Sequence, residues 1–369
     1  MIVFPWLERR VPEFGKNRFR LFGYWKFLFI LFPVIGTAFC ARAIEIRSRD
    51  PYYSAVVIDA DSGAILKEDH AAAQAYPASM VKMMNLFIVL DDVRAGKLHL
   101  DQPVKISHEV AQIGGRQVWL KEGEVFPLEE LIYAMMIHSA NDAATALAIC
   151  ASGSKEAHAA RMTAKAQELG LHNTVFHNVH GLPPAPGQEA DVSSALDMAR
   201  LAKALLEQHP ETLRYSSIVS RDFRKENPVK MINSNKLLGH VKGCDGLKTG
   251  YFYAGGFSIT ATARRDGRRV IAVIMGCKDP NVRNAEASEW IETGFTKLSS
   301  QEIPEPDLAM GSESESSSIS SEKEISPLLP EAPPTESGKR EWLMPVLIGL
   351  PIIIAVLIAL MILSRKPRG

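Results

Sequence analysis

From Leu343 to Leu363 the chain runs about 21 residues without a charge, dominated by Leu, Ile, Val and Met. As a helix rising 1.5 Å per residue, this segment reaches about 31 Å, enough to cross a bilayer core. Trp342 stands at one edge, where interfacial aromatics sit, and Arg365, Lys366 and Arg368 stand at the other, where the positive-inside rule places cytoplasmic charge. Pro345 and Pro351 are tolerated in a spanning helix. The expectation is one transmembrane helix over 342–364 and a basic cytoplasmic tail over 365–369.

The other end carries a different address. Arg9, Arg10, Lys16, Arg18, Arg20 and Lys26 precede an apolar stretch from Phe27 to Phe39, then Ala41-Arg42-Ala43. A basic region, a short apolar core of about 13 residues and a small-x-small site read as a secretory signal peptide, residues 1–43. An uncleaved signal anchor is the alternative, and either way the bulk of the chain is exported to the extracytoplasmic (periplasmic) side. Residues 299–341, rich in Ser, Glu and Pro, lack the apolar content for a core and read as a solvated tether. The folded body is therefore expected over 44–298.

Within that frame, composition excludes several classes. Lys plus Arg total 42 and Asp plus Glu total 42, so the net charge is zero and a general nucleic-acid binder is not expected. Four cysteines in 369 residues are too few for a disulfide scaffold. With Cys40 in the signal, Cys150, Cys244 and Cys277 are expected unpaired, as small buried hydrophobes. No Cys or His pair has metal-ligand spacing, so no metal is expected.

The body reads as α+β. Ala55–Asp59 and Ala64–Leu66 flank an Asp-Ser-Gly turn. The stretches around Gly243–Gly250, Phe257–Ala263 and Val270–Met275 are separated by short Gly-containing turns and form an antiparallel meander. Arg283–Leu298 is expected as a helix covering the sheet through Ala285, Trp290, Ile291 and Phe295. Between the two sheet halves lies a helical insertion. Ser79–Asp92 is apolar nearly all round and should be buried, and Pro127–Ile137, Ala143–Cys150, Ser154–Leu169 and Ser193–Gln208 follow as helices.

Three short motifs occur in order: Ser79-Met80-Val81-Lys82, Ser139-Ala140-Asn141 and Lys248-Thr249-Gly250. Ser-x-x-Lys alone says little, since it also occurs at Ser152/Lys155 and Ser320/Lys323. Only Ser79 opens a strongly apolar helix, where a spacing of three puts both side chains on one face. A serine hydroxyl needs a base to become a nucleophile, and a lysine serves only when burial and a second cation lower its pKa. Lys248 is the natural second cation. Read singly, Ser79 is a helix cap, Lys82 a solvated lysine, Ser139-Ala140-Asn141 capping material and Lys248 an exposed strand residue. Read together, Ser79 is the nucleophile and Lys82 its base. Ser139 relays a proton, Asn141 supplies an amide, and Lys248 and Thr249 face an anionic substrate end. Gly250 admits a peptide backbone to the strand edge.

The three motifs together resemble those of the penicillin-recognising serine acyltransferases. Tyr76–Met84, Ile137–Ala144, Asn178–Leu182 and Asp245–Tyr251 followed by Ala254-Gly255 are similar to segments of the low-molecular-mass D-alanyl-D-alanine carboxypeptidases. The resemblance covers about residues 50–298. It implies a β-lactamase/transpeptidase-like fold and a peptidoglycan stem peptide as substrate. Ser79 would be acylated and the terminal D-alanine released, and β-lactam antibiotics would acylate the same serine. It further implies an oxyanion hole from the backbone N–H groups of Ser79 and Tyr251, and no cofactor. Phe252 stands where the family often has threonine. A D,D-endopeptidase acting on crosslinks uses the same machinery. A class A β-lactamase would want Ser-Asp-Asn and a Glu-x-x-Leu-Asn, and neither is present. A wall-binding scaffold on the same fold would predict a broken motif, and none is broken.

Overall fold

The structure, a computed structural model, describes residues 44–300. The expected signal peptide (1–43), membrane span (342–364) and basic tail (365–369), and all but the first two residues of the expected tether, lie outside the described residues. Among the described residues no helix is long and apolar enough to cross a membrane.

The chain opens with β1 (Ser54–Asp59) and β2 (Ile65–Asp69). A 3-10 turn (Ala78–Val81) leads into α1 (Lys82–Arg94), β3 (Pro103–Lys105), α2 (His108–Ala111) and β4 (Val125–Pro127). Then come α3 (Leu128–Ile137), α4 (Asn141–Ser152), α5 (Lys155–Glu168), α6 (Ala195–Gln208) and α7 (Thr212–Ser216). A small hairpin of β5 (Ser220–Phe223) and β6 (Val229–Ile232) precedes β7 (Cys244–Phe252), β8 (Gly256–Arg265), β9 (Arg268–Cys277) and α8 (Pro280–Ser300). The main sheet has the order β2-β1-β9-β8-β7 and is antiparallel throughout. The meander pairs with the N-terminal hairpin through β1 and β9, so strands from both ends of the body close one sheet around a helical insertion.

Alternation along the strands explains the layering. In β9, Val270, Ala272 and Ile274 pack on the α8 side with Trp290 and Ile291, while Ile271, Val273 and Met275 pack on the other side with α1 and α6. A strand buried on both faces reads as an unbroken apolar run, which is what Val270–Met275 is. The buried residues of α1 run from Lys82 to Leu90 without a break, so this helix is surrounded on all sides. A second core under α3 and α4, including Leu131, Met135 and Leu147, makes the insertion a lobe in its own right.

The covering helix starts one turn earlier than the sequence suggests. Pro280 occupies its first position, and Asp279 Oδ1 accepts from Asn281 N at 2.6 Å, a Pro-led start with an acidic cap. The expected role of Ala285 is corrected: it faces solvent, and Ala287 is the alanine that packs with Trp290 and Ile291. Cys150, Cys244 and Cys277 are all free thiols.

Candidate active site

The nucleophile segment is shaped by Pro77 and a left-handed residue, Ala78 (φ 47°), which turn the chain sharply into the 3-10 turn. Neither this turn nor α1 has a side-chain cap, so the capping reading of Ser79 fails. Its hydroxyl is half-buried and faces Lys82 Nζ at 3.0 Å and the His180 carbonyl at 3.3 Å. Lys82 is fully buried, which rules out the solvated reading. Its ammonium nitrogen also lies 2.8 Å from Asn141 Oδ1 and 2.6 Å from His180 O.

Burial first, and the Lys248 charge second, hold the Lys82 pKa well below the ordinary lysine value. A neutral amine keeps two N–H groups and one lone pair. With its N–H groups donated to Asn141 Oδ1 and His180 O, the lone pair is left for the Ser79 hydroxyl. The base is thus aimed by its own hydrogen bonds.

Ser139 and Asn141 sit at the junction of α3 and α4. Ser139 is left-handed (φ 60°) and α4 begins without a side-chain cap, so here too capping is not what these residues do. Lys248 Nζ donates to Ser139 Oγ at 2.8 Å and to the Thr249 carbonyl at 3.0 Å. Asn141 Nδ2 donates to Gly114 O at 2.9 Å, which orients Oδ1 toward Lys82. Lys248 is pushed down to about 7 by burial, then by the Arg116 and Arg283 guanidiniums.

β7 is the sheet's edge strand, and it presses on the nucleophile turn. A Cβ on Gly250 would fall 2.4 Å from Pro77 O and 3.2 Å from Ser79 N, so only glycine permits this approach. Between the strand and the helical lobe opens a cleft of about 620 Å³. Ser79, Ser139, Asn141, Thr249, Gly250 and Tyr251 all line it, whereas Lys248 lies behind the wall, 3% exposed.

Several contributors are not marked by side-chain chemistry. The Asn178–Leu182 segment, noted above only for its resemblance, supplies a bare carbonyl, that of His180. It is held by Asn178 Oδ1, which accepts from His180 N at 3.1 Å and Gly181 N at 2.6 Å. Asp191 accepts from His177 N at 2.6 Å and Asn178 N at 3.0 Å, and burial pushes it up to about 7. Arg283, expected only as part of a sheet-covering helix, is a cleft residue. It is 4% exposed, bonds only Asn284 Oδ1 among the described side chains, and burial lowers it to about 10. Arg116 and Lys236 add positive charge to the lining, which contains no Asp or Glu among the described residues. A buried guanidinium with no carboxylate beside it is costly unless an anion arrives from outside.

Residues 40–279 match the family described as D-alanyl-D-alanine carboxypeptidase. The chain is 36% identical over 252 residues to the D-alanyl-D-alanine carboxypeptidase DacF of Bacillus subtilis, covering 66% of this chain and 62% of that one. It is 34% identical over 277 residues to DacC of Escherichia coli, covering 73% and 66%. The chain thus spans somewhat under two thirds of the length of these relatives. Among solved structures, penicillin-binding protein 6B of Escherichia coli is similar with a TM-score of 0.61 and 31% identity, covering 68% of this chain and 78% of that one. Penicillin-binding protein D2 of Listeria monocytogenes in its ampicillin-bound form has a TM-score of 0.61 and 28% identity, covering 66% and 97%.

Proposed function

The chain belongs to the D-alanyl-D-alanine carboxypeptidase family, and from that premise we propose that it is a serine-type carboxypeptidase that removes the terminal D-alanine from peptidoglycan stem peptides and is acylated by β-lactams. The single observation that carries this reading is the pair Lys82 and Ser79, a buried, charge-depressed amine 3.0 Å from a cleft-facing hydroxyl.

The steps follow from the residues. The stem peptide lies along the β7 edge, with the D-alanine carboxylate toward Thr249 and Arg283. Lys248, behind the wall, adds to the positive field there. Neutral Lys82 takes the Ser79 proton as Oγ attacks the penultimate carbonyl. The developing oxyanion is received by the backbone N–H groups of Ser79 and Tyr251. The proton passes through Ser139, hydrogen-bonded to Lys248, to the departing amine. Water then enters, Lys82 again serves as base, and the acyl-enzyme is hydrolysed. Among the described residues the lining lacks a carboxylate to activate that water, which favours a long-lived penicillin adduct over β-lactamase turnover.

Residues 1–43 are proposed to export the body and residues 342–364 to hold it at the membrane by a single span, with 299–341 as tether. The hydropathy and flanking charges of those segments support this. Alkaline extraction of membranes tests it: the full chain stays with the lipid and a chain ending at residue 341 does not.

The enzymatic reading is tested by release of D-alanine from a defined pentapeptide. The wild-type chain releases it, while Lys82→Ala falls by about 10²- to 10⁴-fold, the usual worth of a general base. No release by the wild-type chain on monomeric or crosslinked muropeptides refutes the reading.

A further inference from the structure

Trp119 is the largest exposed apolar side chain on the lobe that carries Ser139 and Asn141, at 64% exposed. It is also left-handed, φ 60°, a conformation that bulky residues avoid. The backbone on both sides is pinned. Val118 N donates to Asp142 Oδ2 at 3.2 Å and Leu120 N to the same oxygen at 3.0 Å, and Arg224 donates to the Trp119 carbonyl at 2.6 Å. Asp142 is 1% exposed and directly follows Asn141, whose own N–H donates to Arg116 O at 2.7 Å. The loop that carries the indole is therefore fastened at two points to the start of α4. An indole held out in water on a backbone fastened on both sides has no use in packing.

We infer that Trp119 is a saccharide platform that binds the glycan strand to which the stem peptide is attached. The inference rests on the stem-peptide reading above. Arg116 lines the cleft, and three residues of chain place Trp119 within about 11 Å of it. Four extended stem residues separate the scissile carbonyl from the sugar, a span of about 13 Å. The reach of the substrate and the position of the indole are therefore compatible. A pyranose presents a face of polarised C–H groups, and the flat, electron-rich face of an indole complements it. Gln117 and Lys121, adjacent in the same loop, offer polar groups for hydroxyls and acetamides.

The test compares two substrates on the full-length chain. On a short peptide ending in D-alanyl-D-alanine, Trp119→Ala matches wild type. On polymeric peptidoglycan its KM rises about five- to tenfold at unchanged kcat, and Trp119→Phe recovers most of the loss. Chitotetraose titrated into the wild-type chain quenches indole fluorescence, and Trp119→Phe abolishes that change. Equal loss on both substrates makes Trp119 structural, no loss on either makes it idle, and adsorption of the indole to glycan-free lipid vesicles makes it a membrane contact. Each of these results overturns the inference. Inactivity of the wild-type chain on the short peptide instead refutes the stem-peptide reading, so the two failures are distinguishable.

Discussion

Lys248 Nζ donates to Ser139 Oγ at 2.8 Å across 109 positions of sequence, tying the sheet edge to the helical lobe at the floor of the cleft. Each partner belongs to a different motif, and the bond closes the constellation around Lys82. Because Lys248 is the second cause of the depressed Lys82 pKa, its removal has a signed consequence. A nearby cation disfavours the protonated amine, so in Lys248→Gln the Lys82 pKa rises and less neutral base exists at a given pH. The acid limb of the acylation rate, followed by stopped flow with a fluorescent penicillin, is expected to move to higher pH. Acylation at the optimum also slows by about 10²-fold or more, from loss of electrostatic support.

Burying Lys82 also makes folding sensitive to pH. Its folded-state pKa lies well below the ordinary lysine value of 10.5, so the unfolded chain binds more protons between the two values. The destabilisation is complete below the folded pKa and fades as pH rises toward 10.5. Lys82→Met removes it. The stability of Lys82→Met minus that of wild type, from urea midpoints, is therefore expected to shrink as pH is raised from 6 toward 10. A difference independent of pH contradicts the depressed pKa.

Arg283 has a cleft position and no carboxylate partner among the described residues, which fits it to receive the substrate's terminal carboxylate. A hydrogen bond to a charged group is worth about 1.5–3 kcal/mol, so Arg283→Ala should lose about 10- to 100-fold in kcat/KM on D-alanyl-D-alanine peptides. A peptide ending in an amide should show little difference between the two proteins, as measured by amine or amide release.

Gly181 holds a left-handed φ of 80°, and a Cβ there would fall 2.1 Å from Ala78 O. Gly181→Ala must push the His180 carbonyl away from Lys82 or distort the nucleophile turn. About 3 kcal/mol of stability should be lost, from strain and overlap combined, with near-complete loss of β-lactam acylation. Denaturation and penicillin labelling of the same preparation read both effects.

Much of the architecture was legible because it rests on periodicity. The apolar run Val270–Met275 marked a strand, and the near all-round apolarity of Met83–Leu90 marked a buried central helix. The short ladders β3–β4 and β5–β6 were not foreseen, since three or four residues give alternation too little length to register. Ala285 and Ala287 show the same limit on a helix: two alanines are equal in composition, and only the rotation of α8 on the sheet decides which is buried. In the site, residues announced by side-chain chemistry (Ser79, Lys82, Ser139, Asn141, Lys248) were readable. The Asn178–Leu182 segment stood out only by resemblance, and the role of the His180 carbonyl was not readable, because every residue has a carbonyl and only the fold aims one. Arg283 was hidden by its helix, since nothing local marks which turn of a covering helix reaches the cleft.

The central claim is that the Ser79 hydroxyl, activated by Lys82, forms the acyl-enzyme. Intact-protein mass spectrometry after incubation with benzylpenicillin, followed by peptide mapping, addresses it most directly. The account predicts one long-lived adduct on the peptide containing Ser79, absent from Ser79→Ala and formed far more slowly in Lys82→Ala. No adduct on the wild-type chain, or an adduct that persists in Ser79→Ala, contradicts it.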